Sequence, residues 1–367
     1  MNKPVVFIID ASIDITGALI AARREAELLH DAAEFVLVLP KESQVPDWLL
    51  GCFSKVLRLP MPQIRRHLPT LVGYLPALAS TSIRLRLEMR RSGCQRLQVN
   101  DFYLLHGAML RLLGFRGLIA TWVRIDPVRF GSLGKYWLWA ADRSSNELVA
   151  VSRFIQSRVP RRLRTRLIYE SREPESGTKG GKGSGRRLLF VGNYIPGKGQ
   201  DLAIAAFERI ANDFPDARLS FVGGDMGRAG NRTYRELLEQ QAAGGPAASQ
   251  IQFLDRTDDP SDLYRGSFAA LNFSTSESFS ITCQDAAAFG LPIVATRSGG
   301  PEEIVEDGTT GFLVPVGDIE AMADRIHRLL ADPALSARLG ANASVLVRER
   351  FGPAAVRPGL LQCLRLE

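Results

Sequence analysis

Cysteine is scarce and scattered: Cys52, Cys94, Cys283 and Cys363 lie far apart with no C-x-x-C pair. That spacing argues against a structural zinc site or a disulfide framework and fits a reducing cytoplasm. Near the start there is no long apolar run. VVFII, from Val5 to Ile9, ends at Asp10, too short for a secretory core and far short of a membrane span, and reads as a first buried strand. No D-x-D pair of acids occurs in the chain, so the sequence lacks that device for holding a divalent cation on a phosphate. Short-period repeats and sustained heptads are also missing, which sets aside solenoids and coiled coils.

The 367 residues are 46% hydrophobic and 23% charged. Such a chain has the length for two soluble domains with a core each, and is too apolar for disorder. Its charge is split. Residues 1–170 carry 25 Lys and Arg against 14 Asp and Glu, whereas residues 186–367 carry 18 against 23. A basic half points to nucleic acid, an anionic membrane surface or an acidic substrate, and composition does not choose among them.

The tract EPESGTKGGKGSGRR, residues 173–187, has no apolar anchor and reads as a flexible linker. On either side, short β-branched runs alternate with helical patterns: VVFII then ALIAARREAELL, LLFVG then DLAIAAFERIANDF, followed by ARLSFVGG, QIQFL, FAALNF and PIVAT. This rhythm predicts an α/β protein with a doubly wound, Rossmann-like parallel sheet in each half, residues 1–172 and 188–345. Ligands of such sheets sit where strands end and helix N-termini present N–H groups.

Three segments lie there. In LLFVGNYIPGKGQDL, Lys198 stands after a Pro-Gly turn and before a helix starting near Asp201. The spacing nearly reproduces a P-loop, but Gly199 replaces the hydroxyl residue that would hold Mg²⁺, so a nucleoside-triphosphatase reading loses its metal ligand. A surface lysine in a glycine-rich turn is the plain alternative. In SESFSITCQDAAAFGLPIVAT, Glu277 precedes the amides of Ser278, Phe279 and Ser280 at a helix start, with Asp285 eight positions on. Two carboxylates are thus expected at one pocket, although acids near helix starts also serve as dipole partners. In RSGGPEEIVEDGTTGFLVPVGD, Gly299 and Gly300 precede a helix beginning at Pro301; they open the backbone to a ligand or only serve a turn.

In this order and spacing the segments resemble the C-terminal domain of glycosyltransferase family 4, the retaining group with the GT-B fold. The likeness runs from about Leu188 to Ile326 and is most specific between Ser276 and Asp318. The N-terminal half is more weakly similar, through DITGALIAARREAELL, the VND at Val99–Asp101 and LIATWVRIDP. The resemblance implies two Rossmann-like domains facing a central cleft, with residues 346–367 returning to the N-domain. It also implies a hexose moved from a UDP- or GDP-linked donor to a glycan or lipid-linked acceptor, in bacterial surface polysaccharide synthesis by family habit.

In the family, an arginine and a lysine grip the donor diphosphate and two acids contact sugar and ribose. Lys198, Glu277 and Asp285 fall on three of those positions and Asn193 on the fourth, where the charge is lost. Arg124 falls where the family has a histidine and is expected to supply positive charge across the cleft. Gly17, in the first N-domain loop, would let backbone approach the diphosphate, and Glu277 would orient the sugar. The expected chemistry uses no metal and no cofactor beyond the nucleotide-sugar substrate. The arginines Arg65, Arg66, Arg84, Arg86, Arg90, Arg91 and Arg96, six more from Arg153 to Arg166, and the stripe Leu71, Leu75, Leu78, Leu85 and Met89 suggest peripheral docking on an anionic leaflet. No recognition motif accompanies the charge, which argues against nucleic acid. A GT-B module that binds nucleotide or glycan without catalysis is the competing reading.

Overall fold

The computed structural model describes residues 3–61, 68–175 and 185–367, with the side chains of residues 68–72 left out of the description. It divides into two units, residues 1–171 with 354–367, and residues 172–353.

The first unit is built on a parallel sheet of seven strands: β1 (Val5–Ile9), β2 (Glu34–Pro40), β3 (Lys55–Leu59), β4 (Arg96–Val99), β5 (Leu118–Val123), β6 (Glu147–Ala150) and β7 (Arg166–Leu167). Their order is β3-β2-β1-β4-β5-β6-β7. The order reverses between β1 and β4, so the loops after those strands form the switch point. Continuous apolar runs such as VVFII and LIATWV suit strands covered on both faces. Phe7, Ile9, Val38, Leu97, Val99 and Ile119 pack in one core with Leu85 and Met89 of the helix Leu68–Arg91.

That helix corrects one expectation. Leu78, Leu85 and Met89 are buried in the core and are not a membrane-facing surface, Leu75 is 62% exposed, and the Leu71 side chain lies outside the described residues. Among the arginines expected to join it, Arg86 stacks over Phe115, and Arg96 donates to the carbonyls of Leu364 and Arg365 at 3.0 and 2.9 Å. Arg84 and Arg90 are exposed, as is Arg91, which pairs with Glu88. Arg65 and Arg66 lie outside the described residues.

The helix Pro353–Leu364 belongs to the first unit from Ala354 onward. Pro353 occupies its first turn, where no N–H is needed, and Pro358 is carried inside it. Val356, Leu360, Cys363 and Leu364 are buried, and Arg357 pairs with Asp31 at 2.7 Å.

The second unit holds a parallel sheet of six strands: β8 (Arg186–Val191), β9 (Ala217–Gly223), β10 (Ile251–Asp255), β11 (Ala269–Asn272), β12 (Ile293–Thr296) and β13 (Gly311–Val314). The order is β10-β9-β8-β11-β12-β13, with its reversal between β8 and β11. Arg186 and Arg187, expected at the end of the linker, already pair with β9 as strand residues. Residues 176–184 of the expected linker lie outside the described residues. Phe190, Phe207, Phe221, Phe273, Met322 and Leu339 are among the core side chains.

Candidate active site

The residues of interest in the second unit gather at the reversal between β8 and β11. After β8 the chain passes Gly192 and Asn193 and turns through Gly197 (φ 91°) and Gly199 (φ 85°), the latter capping the helix Gln200–Glu208. Gly199 has a steric reason as well as a conformational one: a Cβ there would meet the Phe273 carbonyl oxygen at 2.2 Å. Lys198 is held between these two glycines. The loop after β11 is stitched to it by Thr275 N–H donating to the Gly197 carbonyl at 2.9 Å.

The consequence is an ion pair. Lys198 Nζ lies 2.7 Å from Glu277 Oε1, and the same oxygen accepts from Ser274 Oγ at 2.7 Å. The Glu277 side chain is only 14% exposed. Burial alone would push its carboxyl up, but the Lys198 charge and hydrogen bonds from Lys198, Ser274 and Asn272 outweigh that and hold it below its usual range. Glu277 is therefore an anion at neutral pH, fixed in place and aimed by its partner.

Gly299 and Gly300 form the other wall of this turn. Glu277 N–H donates to the Ser298 carbonyl at 2.9 Å, and Gly300 N–H to the Glu277 carbonyl at 2.8 Å. Gly300 packs so closely on Phe279 that a Cβ would stand 2.3 Å from the Phe279 Cα. Gly299 has φ 109° and caps a 3₁₀ turn, Gly300–Glu303, where a helix from Pro301 was expected. These glycines shape the loop that carries Glu277.

Ser280 caps the helix Ile281–Ala288 with φ 83°, a left-handed conformation uncommon for a non-glycine residue. Asn272 Nδ2 donates to Ser280 Oγ at 3.1 Å, which anchors this strained position. Phe279 offers its backbone only, since its ring is buried edge-on against Phe351 at 5.4 Å. Ser278 lies in the same turn, between Glu277 and Phe279. The turn thus holds an anchored carboxylate, an ammonium and the amide end of a helix together, an arrangement suited to sugar hydroxyls and a leaving anion.

Other expected residues are placed differently. Asp285 lies on the helix Ile281–Ala288, and its Oδ1 is 2.9 Å from Arg172 Nε; that guanidinium also pairs with Glu175 and stacks over Phe289. The two carboxylates therefore have different cationic partners, Lys198 for Glu277 and Arg172 for Asp285. Asn193 Oδ1 accepts from Gly224 N–H at 3.4 Å, linking the ends of β8 and β9. In the first unit, Gly17 is exposed as the first residue of the helix Gly17–Leu28, capped by Thr16.

Arg124 is the clearest correction. It follows β5 in the first unit, with a side chain 5% exposed, and pairs with Glu25 at 2.7 Å and with Glu170. Its Nε donates to Asn100 Oδ1 at 2.9 Å. Burial pushes the Glu170 and Asp101 carboxyls up to about 7. With two carboxylates already on it, Arg124 supplies no spare positive charge. Neither Glu25 nor Glu170 carries a sequence signal for this role, nor do Ser274 and Asn272 for theirs beside Glu277.

Residues 172–345 match the family described as glycosyl transferases group 1. The match lies wholly within the second unit. Among curated relatives, the GDP-mannose-dependent alpha-(1-6)-phosphatidylinositol monomannoside mannosyltransferase of Mycolicibacterium smegmatis is 31% identical over 162 residues, 42% of this chain and 41% of the relative. The D-inositol 3-phosphate glycosyltransferase of Streptomyces bingchenggensis is 34% identical over 170 residues, 45% of this chain and 37% of the relative. The chain thus spans less than half the length of the curated relatives it matches.

Likeness of fold extends further than likeness of sequence. HepE of Anabaena, solved with UDP and glucose, superposes with a TM-score of 0.82 at 20% identity, over 98% of this chain and 99% of that one. The sucrose-phosphate synthase of Thermosynechococcus elongatus gives 0.81 at 21% identity, over 99% and 98%. The chain has the GT-B fold, two doubly wound α/β units. The group 1 domain is the unit that carries Lys198 and Glu277.

Proposed function

We propose that the chain is a glycosyltransferase that moves a hexose from a UDP- or GDP-linked donor to a glycan or lipid-linked acceptor with retention of configuration. The Lys198–Glu277 pair at the strand-order reversal of the group 1 domain carries this reading. When donor enters, the diphosphate competes for the Lys198 ammonium and the amides of the turn, while Glu277 accepts hydrogen bonds from the sugar. The bond from the anomeric carbon to the diphosphate oxygen breaks and its electron pair leaves with the diphosphate. The acceptor oxygen forms its bond on the same face and passes its proton to the departing phosphate oxygen. Lys198 and the amides carry the leaving charge, so the reaction runs without a metal or other cofactor.

A role in bacterial surface polysaccharide assembly, in the cytoplasm or on the inner membrane face, rests on the family resemblance; the relatives' names give a phosphatidylinositol mannoside and D-inositol 3-phosphate. No helix of the described residues is long and apolar enough to cross a membrane. Docking on an anionic leaflet draws support from another surface than the Leu71–Met89 stripe. Val128, Phe130, Leu133, Tyr136 and Trp139 are exposed between 36% and 57% along residues 127–144, and Arg129, Lys135 and Arg143 are exposed among them. Sedimentation with anionic but not zwitterionic vesicles, weakened by Trp139→Ser, is the expected result.

The engagement of Arg124 and Asp285 by other partners favours one second reading, a nucleotide- or glycan-binding module without turnover. Donor hydrolysis without acceptor separates the two. A panel of UDP- and GDP-sugars is incubated in EDTA and free nucleotide is measured: slow release from one donor, abolished in Glu277→Gln, supports the enzyme, and binding without release supports the module.

A further inference from the structure

We propose that a groove along the outer edge of β13 is a carbohydrate subsite, apart from the donor turn, that takes an oligosaccharide free of acidic groups. β13 is the last strand of its sheet, and the loop that leads into it, residues 306–310, runs beside the helix Pro333–Phe351. Between loop and helix lies a cavity of about 510 Å³, within the range of about 300–1,000 Å³ usual for small-ligand sites. The two walls are tied at each end. Asn342 Nδ2 donates to the Thr309 carbonyl at 2.9 Å, and Arg350 pairs with Glu306 at 2.9 Å. The loop is also braced from within: Glu306 N–H donates to Thr310 Oγ1 at 2.8 Å, and Leu313 N–H to Asp307 Oδ1 at 3.0 Å. The groove is thus preformed rather than assembled by its ligand.

Its chemistry comes from one face of the helix, where Asn342, Val345, Leu346, Glu349 and Arg350 recur at helical spacing. Val345, 45% exposed, and the buried Leu346 make an aliphatic floor between the two ties, suited to the C–H face of a sugar ring. Around this floor stand groups with hydrogen-bonding capacity to spare. Glu349 is exposed and pairs with no cation among the described residues. The Asn342 side-chain oxygen and the Thr309 hydroxyl are likewise without partners among them. Glu306, Glu349 and Arg350 therefore set acceptors and donors side by side, a mixture that hydroxyl groups, which do both, can satisfy. Two carboxylates against one guanidinium repel a phosphate or an acidic sugar. The use of the groove, holding a glycan acceptor by a residue remote from its reacting end, rests on the proposed transfer; the subsite itself does not.

The test is saturation-transfer NMR with maltotriose, mannotriose and cellotriose, and with trigalacturonate as the acidic control, on wild type, Val345→Arg and Glu349→Gln. UDP and GDP are titrated into the same three proteins by calorimetry. Arginine in place of Val345 fills the groove and reaches Glu349 four positions on. Arg350 is left intact because it also donates to the Glu303 carbonyl at 2.8 Å, at the end of the Gly300–Glu303 turn that walls the donor site. At least one neutral trisaccharide should give transfer that Val345→Arg abolishes and an affinity that Glu349→Gln lowers roughly 10-fold, with trigalacturonate silent and nucleotide binding unchanged. Glu349→Gln decides alone if Val345→Arg does not fold. No transfer from any neutral trisaccharide, transfer that survives either folded variant, or equal transfer from trigalacturonate overturns the inference and leaves the donor reading standing. Nucleotide binding lost together with the sugar also overturns it, because it makes the groove part of the donor site. A wild type that binds neither nucleotide yet gives the groove-dependent sugar response removes the donor reading and keeps the subsite.

Discussion

Gly300→Ala adds one methyl group to the wall of the candidate site, directly against the Phe279 backbone. The new Cβ would stand 2.3 Å from Phe279 Cα and 2.4 Å from its carbonyl carbon and oxygen, where ordinary contact begins at 3.4 Å. The obstacle is backbone, so it cannot swing aside as a side chain would. The turn and the Gly299–Gly300 segment must separate by about 1 Å, the scale of misplacement that costs roughly 100-fold in a positioned site. That separation strains the hydrogen bonds from Glu277 N–H to Ser298 and from Gly300 N–H to Glu277, which hold the Glu277 backbone. Overpacking of this kind typically costs about 1–3 kcal/mol. Donor hydrolysis and thermal melting of Gly300→Ala are the assays. A fall in turnover much larger than the loss of stability explains is expected; a variant within about threefold of wild type and with an unchanged melting temperature would refute the reasoning.

Arg124→Met should act on stability first. It leaves Glu25 and Glu170 buried without their cation, a loss of about 3–5 kcal/mol by urea unfolding; unchanged stability with lost donor binding would return Arg124 to a direct role. His106 is buried with both ring nitrogens unpartnered, and burial lowers its pKa from 6.5 to about 4. The unfolded state binds the proton first, so stability falls as pH drops from 6.5 to 4, by about 3 kcal/mol, and His106→Leu should remove that slope in pH-dependent melting. Asp101 and Glu170, raised to about 7, contribute with the opposite sign over a similar range, so the comparison with His106→Leu is needed to isolate the histidine. The depressed carboxyl of Glu277 stabilises fully above its ordinary 4.5 and loses that contribution only as pH falls through its lower folded value. Glu277→Gln should therefore flatten the most acidic limb of the melting profile.

Features that depend on neighbours in sequence were legible. Strand and helix alternate with the periods the residues dictate, and the Pro-Gly turn before Lys198 and the turn after Asn272 stand where strands β8 and β11 end. Their meeting at 2.7 Å follows from the strand order, because the strands that carry them are adjacent at the reversal. Features that depend on distant partners were not. Arg124 looked like an available cation because the two acids that occupy it lie 99 and 46 positions away. Asp285 sits at the right spacing from Glu277, but Arg172, from the segment just before the linker, takes its carboxylate. The stripe from Leu71 to Met89 reads equally well as a membrane face or a core face, and packing on the sheet makes Leu85 and Met89 core.

Titration of UDP, GDP and their sugar conjugates into wild type and Lys198→Ala, by calorimetry in EDTA, tests the central claim most directly. Saturable binding of one nucleotide, weakened at least roughly 10-fold by Lys198→Ala, is the predicted result. A folded wild type that binds none of them, or binds one with an affinity indifferent to Lys198, would contradict the assignment of the donor site.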